Sequence, residues 1–162
     1  MRLDAILQAL FLLVVANGAP ILATRLLGRR WSRPVDGGAL FSDGRPFFGS
    51  SKTVRGLVAS VAATVVAAHL LGLSATSGAV IAALAMAGDL LSSFLKRRIT
   101  LEPSARATGL DYFPESLLPA LYAATIMPLT FVETATLLAL FFVGGLLLSR
   151  VLYALKIREQ PY

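Results

Sequence analysis

From Gly56 to Leu95 the chain carries one carboxylate, Asp89, one histidine and no Lys or Arg. About 20 apolar residues cross a bilayer, so this run is long enough to cross twice. Its middle reads GLSATSG, a turn composition that splits it into two helices. Ala5 to Thr24 holds no charge, Ser116 to Val132 is uncharged although it contains Pro119 and Pro128, and Thr134 to Leu155 is broken only by Arg150. The pattern predicts five helices, over about 4–24, 55–73, 77–96, 115–131 and 134–155, forming one all-α polytopic membrane domain over residues 1–162. The first segment reads as an uncleaved helix and not as a signal peptide. Arg2 is followed at once by Asp4, which leaves a weak n-region, and the apolar run is long enough to span.

Charge then orients the helices. The chain has 15 Lys and Arg against 9 Asp and Glu, 15% charged in all, against about a quarter in a soluble domain. That argues against a soluble enzyme, and the 56% hydrophobic content argues against disorder. With no cysteine, disulfides, thiolate metal sites and Cys nucleophiles are excluded, and a single His speaks against a histidine-centred triad. Arg25, Arg29, Arg30, Arg33, Arg45, Lys52 and Arg55 crowd the first long loop, Lys96, Arg97, Arg98 and Arg106 the second, and Lys156 and Arg158 the tail. The connections near Ser74 and Glu133 carry no basic residue. Because cytoplasmic loops are rich in Lys and Arg, five crossings place the N-terminus outside and the C-terminus inside. The expected location is the inner membrane, with both long loops in the cytoplasm.

The chemistry-bearing residues lie in or beside those loops. Asp89 is an ionisable group within a membrane helix, a functional candidate by default. Ser92, Ser93 and Lys96 follow it at i+3, i+4 and i+7, which makes a polar stripe down one face. The alternative is a carboxylate paired for packing. Lys96, Arg97 and Arg98 suit a helix C-terminus and a cytoplasmic boundary, and gain a second role only if a polyphosphate binds nearby. Asp111 falls in the approach to the fourth helix and Glu115 in its first turn, where carboxylates can also cap. Asp89 and Asp111, from the ends of sequential helices on one side, can converge. Two or three carboxylates beside a basic cluster make a hard-oxygen site suited to Mg²⁺. FGSSKTVRG supplies small residues, hydroxyls, Lys52 and Arg55, able to approach a phosphate or simply to mark a membrane boundary. It is not a Walker A loop, since Ser51 stands where the Gly before Lys is required. His69, Trp31 and Tyr153 read as packing or interface residues, the Arg25–Arg33 cluster as a lipid anchor, and Asn17, Gly18 and Pro20 as a bend in the first helix.

Taken together these residues resemble the CDP-archaeol synthase family, small five-helix enzymes related to phosphatidate cytidylyltransferases. The resemblance runs over nearly the whole chain. It is carried by Asn17 and Pro20, DGG at 36–38, DGRPFFG at 43–49, KTVRG at 52–56 and, most specifically, GDLLSSFLKRR, where Gly88, Asp89, Ser93, Lys96 and Arg97 keep a GD-x3-S-x2-KR spacing. The wider cytidylyltransferase signature also has a KD pair and an HGG stretch, both absent here, and a paired-Asp element that is incomplete. Asp111 matches its first Asp, Pro114 stands at the second, and Glu115 is adjacent. GLDYFPESLLP resembles bacterial-type members.

The resemblance implies a CTP-dependent nucleotidyltransferase that moves CMP from CTP to a membrane lipid phosphate, ether or diacyl, and releases pyrophosphate. Asp89, Lys96 and Asp111 would be catalytic. Asp89, Asp111 and Glu115 would hold Mg²⁺, with Glu115 replacing the missing Asp. Lys52, Thr53, Arg55, Ser93, Lys96 and Arg97 would contact CTP. The expected partners are CTP, the lipid phosphate and membrane lipids, with no nucleic acid; a homo-oligomer is left open. The alternatives are a small channel or transporter, or a non-catalytic scaffold.

Overall fold

The structure is a computed structural model and describes residues 1–101 and 108–154. It is all-helical: α1 (Leu3–Leu27), α2 (Val54–Leu70), α3 (Ala75–Arg98), α4 (Thr108–Ile126) and α5 (Phe131–Ala154). Arg106 and the tail residues Lys156 and Arg158 lie outside the described residues. Three helices, Leu3–Leu27, Ala75–Arg98 and the Phe131–Val151 stretch, are long and apolar enough to cross a membrane; Val54–Leu70 is apolar but shorter. α1 touches all four other helices, and α3 packs on α1, α2 and α4.

Apolar side chains face outward as freely as inward. Leu7, Phe11, Val58, Val66, Leu121, Val143 and Leu147 are exposed, while Ile6, Leu12, Leu13, Ile81 and Leu137 are fully buried. In α2 the inward face is instead small or hydroxylated: Gly56, Ser60, Thr64, Ala67 and Ala68. Small residues let helices approach closely where lipid removes any hydrophobic drive between them. Pro20 bends the accounting of α1, because a proline has no N–H to give the carbonyl four residues back. That carbonyl belongs to Ala16, and the buried Ser60 hydroxyl of α2 donates to it at 2.7 Å. A helix-to-helix bond thus stands where α1 lacks its own.

At one end of the bundle Thr130 and Glu133 form a reciprocal cap of α5. Glu133 Oε2 accepts from the Thr130 N–H at 2.9 Å, and the Thr130 hydroxyl accepts from the Glu133 N–H at 3.3 Å. Glu133 Oε1 also accepts from the Arg2 N–H at 2.5 Å, and the Arg2 guanidinium donates to the Met127 and Pro128 carbonyls. The start of α1 is therefore fastened to the α4–α5 turn.

Several helix bounds differ from the sequence expectation: α1 runs on to Leu27 and not about 24, α4 ends at Ile126 and not near 131, and α5 begins at Phe131 and not 134. α2 ends at Leu70, not near 73, where Leu71 caps it and Gly72 turns the chain at φ 73°. α4 begins at Thr108, not 115, so Asp111 lies in its first turn and not in a preceding loop. Packing explains the extra turns. Tyr112 stacks edge-on to Phe142 at 5.4 Å, and Gly145 of α5 leaves room for its ring. Tertiary contact, more than local propensity, sustains such a helix.

Ser60→Ala should destabilise the bundle by about 1–3 kcal/mol, the usual consequence of leaving a buried acceptor unsatisfied. Pro20→Ala in the same chain restores the intrahelical N–H and should recover most of the loss. Thermal unfolding in one detergent checks both; an unshifted Ser60→Ala melt would contradict the assignment.

Candidate functional site

The 28–53 segment is folded back on itself and onto α3. Its base is an antiparallel bridge between Pro34 and Thr53, with Val35 N–H donating to the Lys52 carbonyl at 2.8 Å and Val54 N–H to Arg33 at 3.0 Å. A second bridge, Leu40 to Pro46, closes its tip. Asp36 is the knot between them. Its carboxylate accepts from the Gly38 N–H at 3.0 Å, the Phe48 N–H at 2.9 Å and the Gly49 N–H at 3.0 Å. Gly49 adopts φ 90°, a conformation that side chains disfavour, which explains a glycine there. Partial burial raises the Asp36 pKa, but the N–H groups of Phe48, Gly38 and Gly49 outweigh it and hold the carboxyl below its ordinary range.

The tip is clasped to the end of α3 by two arginines. Arg45 donates to the Arg98 carbonyl at 2.9 Å and to that of Arg97 at 3.4 Å, carbonyls that a helix C-terminus leaves open. Arg98 donates to Asp43 at 2.6 Å and to the Pro46 carbonyl at 2.7 Å, and lies over the rings of Phe41 and Phe94 at 4.6 and 4.9 Å. Phe41, Phe47 and Phe94 stack beneath it.

This folding delivers Lys52 to α3. Its ammonium reaches both oxygens of Asp89, at 2.6 and 2.7 Å. Two turns further along α3, Lys96 pairs with Asp111 of α4 at 2.6 Å, and the lysine side chain is 10% exposed. Glu115, one turn beyond Asp111, sits among the charges of Asp89, Lys52, Asp111 and Lys96. Gly88 permits that closeness: a Cβ there would come within 2.1 Å of the Pro114 carbonyl oxygen and 2.7 Å of the Glu115 Cα. Glycine before Asp89 is thus a close-approach residue that lets α4 lie against α3. Ser92 and Ser93 are buried on α3, Ser92 bonding back to the Gly88 carbonyl at 3.0 Å, and Arg97 is buried in the last turn.

Two other sequence candidates are bonded away from these carboxylates. Thr53 caps α2, accepting from the Gly56 N–H at 3.2 Å. Arg55 turns toward the end of α1, donating to the Gly28 carbonyl at 3.0 Å, to the Arg30 carbonyl and to the Thr24 hydroxyl at 3.3 Å. Among the described residues no group of three His, Cys, Asp or Glu is gathered tightly enough to hold a metal by itself. The donor chemistry nonetheless fits Mg²⁺, which is commonly held by one or two carboxylates plus substrate phosphates.

The family model described as CarS-like, CDP-archaeol synthase, matches residues 2–162. The chain belongs to the CDP-archaeol synthase family. It is 33% identical to the CDP-archaeol synthase of Aeropyrum pernix, over 99% of this chain and 95% of that one. It is 42% identical to that of Hyperthermus butylicus over 68% of each. A solved structure of an intramembrane enzyme for archaeal membrane lipids biosynthesis is similar with a TM-score of 0.65 and 30% identity, covering 83% of this chain and 89% of that one.

Sequence reasoning reached Asp36 and Asp43 only as parts of family motifs, and Arg45 as a motif residue and one of the loop's charges. The Asp-Gly-Gly run could have suggested an Asx turn, but nothing local foretells that Phe48 and Gly49 complete it. The Asp36 knot carries a pH signature. A carboxyl whose folded pKa lies below its unfolded value contributes stability above the unfolded pKa and loses it as pH falls through the folded one. Hydrogen-exchange protection of the Phe48 and Gly49 amides should therefore hold at neutral pH and fall away below about pH 4. Asp36→Ala should remove it at every pH; full protection in that variant would refute the knot.

Proposed function

We propose that the chain transfers CMP from CTP to a membrane lipid phosphate, with its site at the charged end of the bundle. Family membership supports CTP-dependent cytidylyl transfer, and the observation that carries the site assignment is the convergence of Lys52, Asp89, Lys96, Asp111 and Glu115. A lipid phosphate oxygen attacks the α-phosphorus, the bond to the β-phosphate breaks, and pyrophosphate leaves. Such chemistry is mostly positioning and charge neutralisation. Lys52, Lys96 and Arg97 supply positive charge from two elements, so a triphosphate between them is gripped from both sides. Ser93 offers a hydroxyl one turn from Asp89. Thr53 and Arg55 act at one remove, fixing the start of α2 and the end of α1 so that Lys52 is presented correctly. Asp89 and Asp111, with Glu115, would hold Mg²⁺, whose charge offsets that developing on the pyrophosphate.

All five helices cross the membrane in this reading. α1 and α3 both run toward the charged end, so α2 must return the chain between them; α4 and α5 repeat the alternation. At 17 residues α2 rises about 26 Å, enough where the bilayer thins slightly. The charged end faces the cytosol, where CTP is, with the N-terminus outside and the C-terminus inside. The lipid's chains lie in the bilayer while its phosphate reaches the headgroup level, which puts both substrates within reach of one site. Ether and diacyl glycerol phosphates present the same reacting group.

Purified protein with CTP, Mg²⁺ and a panel of lipid phosphates should release pyrophosphate and form a CDP-lipid. Asp89→Asn should lower the rate by roughly two orders of magnitude, and Lys52→Ala and Lys96→Ala should impair CTP use, whereas Arg30→Ala, an exposed control, should not. No CTP turnover with any lipid would return the chain to a scaffold. Sidedness has a separate check: since the chain has no cysteine, a cysteine placed at Ser42 should resist impermeant reagents in intact cells, and its labelling from outside would overturn the orientation.

A further inference from the structure

We propose that this site takes its divalent cation only as the metal–CTP chelate, because Lys52 and Lys96 occupy the two carboxylates until a triphosphate draws them away; the inference rests on the cytidylyltransferase reading above. Lys52 contacts both oxygens of Asp89, at 2.6 and 2.7 Å, so the carboxylate edge a cation would use is already engaged by an ammonium. Lys96 pairs with one carboxylate oxygen of Asp111 at 2.6 Å. These four charges sum to zero. A free divalent ion would have to displace two cations and then remain beside them, in a part-buried setting where solvent screens little. The chelate would remove that obstacle, since its phosphates would give Lys52 and Lys96 new acceptors and leave Asp89 and Asp111 free to hold the cation. The same conclusion follows from the donor count. Among the described residues no three acidic groups are gathered tightly enough to hold an ion by themselves, so substrate phosphates and retained waters would share its coordination with the carboxylates. Lys52 and Lys96 are then counter-ions in the resting protein and phosphate ligands in the complex, and metal and nucleotide bind as one unit.

The reading makes an unusual demand: deleting a nucleotide-binding lysine should strengthen metal binding. Full-length protein in detergent is titrated with Mn²⁺ alone, free Mn²⁺ being followed by its paramagnetic resonance signal. Lys52→Met should bind Mn²⁺ at least about tenfold more tightly than the unaltered chain, while its affinity for CTP falls. Lys52→Met with Asp89→Asn should lose the gain. Lys96→Met, which releases Asp111, repeats the test on the second pair and serves if the first variant does not fold. Unchanged or weakened Mn²⁺ binding in the lysine variants overturns the proposal, as does a gain that survives Asp89→Asn. No CTP turnover by the unaltered chain with any lipid phosphate would instead defeat the functional reading, so the two failures are told apart.

Discussion

The pairing of Lys52 with Asp89 is the bond on which the charged end depends. A carboxylate inside an apolar helix is tolerable only with a partner, and its partner comes not from a neighbouring helix but from a loop 37 positions earlier. Everything unusual about that loop serves the delivery. The paired bridges set its path, Asp36 gathers its turn, and Arg45 and Arg98 fix its tip to α3. Lys96 and Asp111 do for α4 what Lys52 and Asp89 do for the loop, so that α3 becomes the element against which both others are registered.

Close packing makes the arrangement affordable. Gly88 brings the α4 backbone to α3 beside the carboxylates, and Gly78 does the same between α3 and α2, where a Cβ would meet the Thr64 carbonyl at 2.8 Å. Ser60 and Thr64 fill the α2 face with hydroxyls whose bonds are internal, to Ala16 and Ser60 carbonyls. Bulk is placed outward, on Val58, Val66, Leu121 and Leu147. This distribution suits a solvent of lipid, where burial of large side chains gains nothing.

Five helices were legible in the sequence because charge-free length is a strong signal, and so was the gathering of Asp89, Lys96 and Asp111, because helix ends joined on one side must meet. The start of α4 was not. Its first turns are amphipathic, and what makes them helical is contact of Tyr112 with α5 and of Asp111 with Lys96, neither of which is local. The direction of Arg55 was equally hidden. A basic residue beside Lys52 reads as a phosphate ligand, whereas its guanidinium reaches carbonyls 25 and 27 positions back. Spacing along the chain reports which residues are near a membrane boundary, but not which of them spend their donors on backbone.

The clasp of Arg2 on Glu133 and on the Met127 and Pro128 carbonyls spans 125 to 131 positions. Synthesis reaches Glu133 131 residues after Arg2. The clasp can therefore form only once the α4–α5 turn has been made, and until then the leading end of α1 is unfastened. Sequence-distant closure of this kind is slow to form, and it makes the arrival of α5 the event that completes the fold. A chain truncated before Glu133 would keep every charged residue of the site and still lack the fastening that holds α1, and with it the Ser60–Ala16 hydrogen bond, in register.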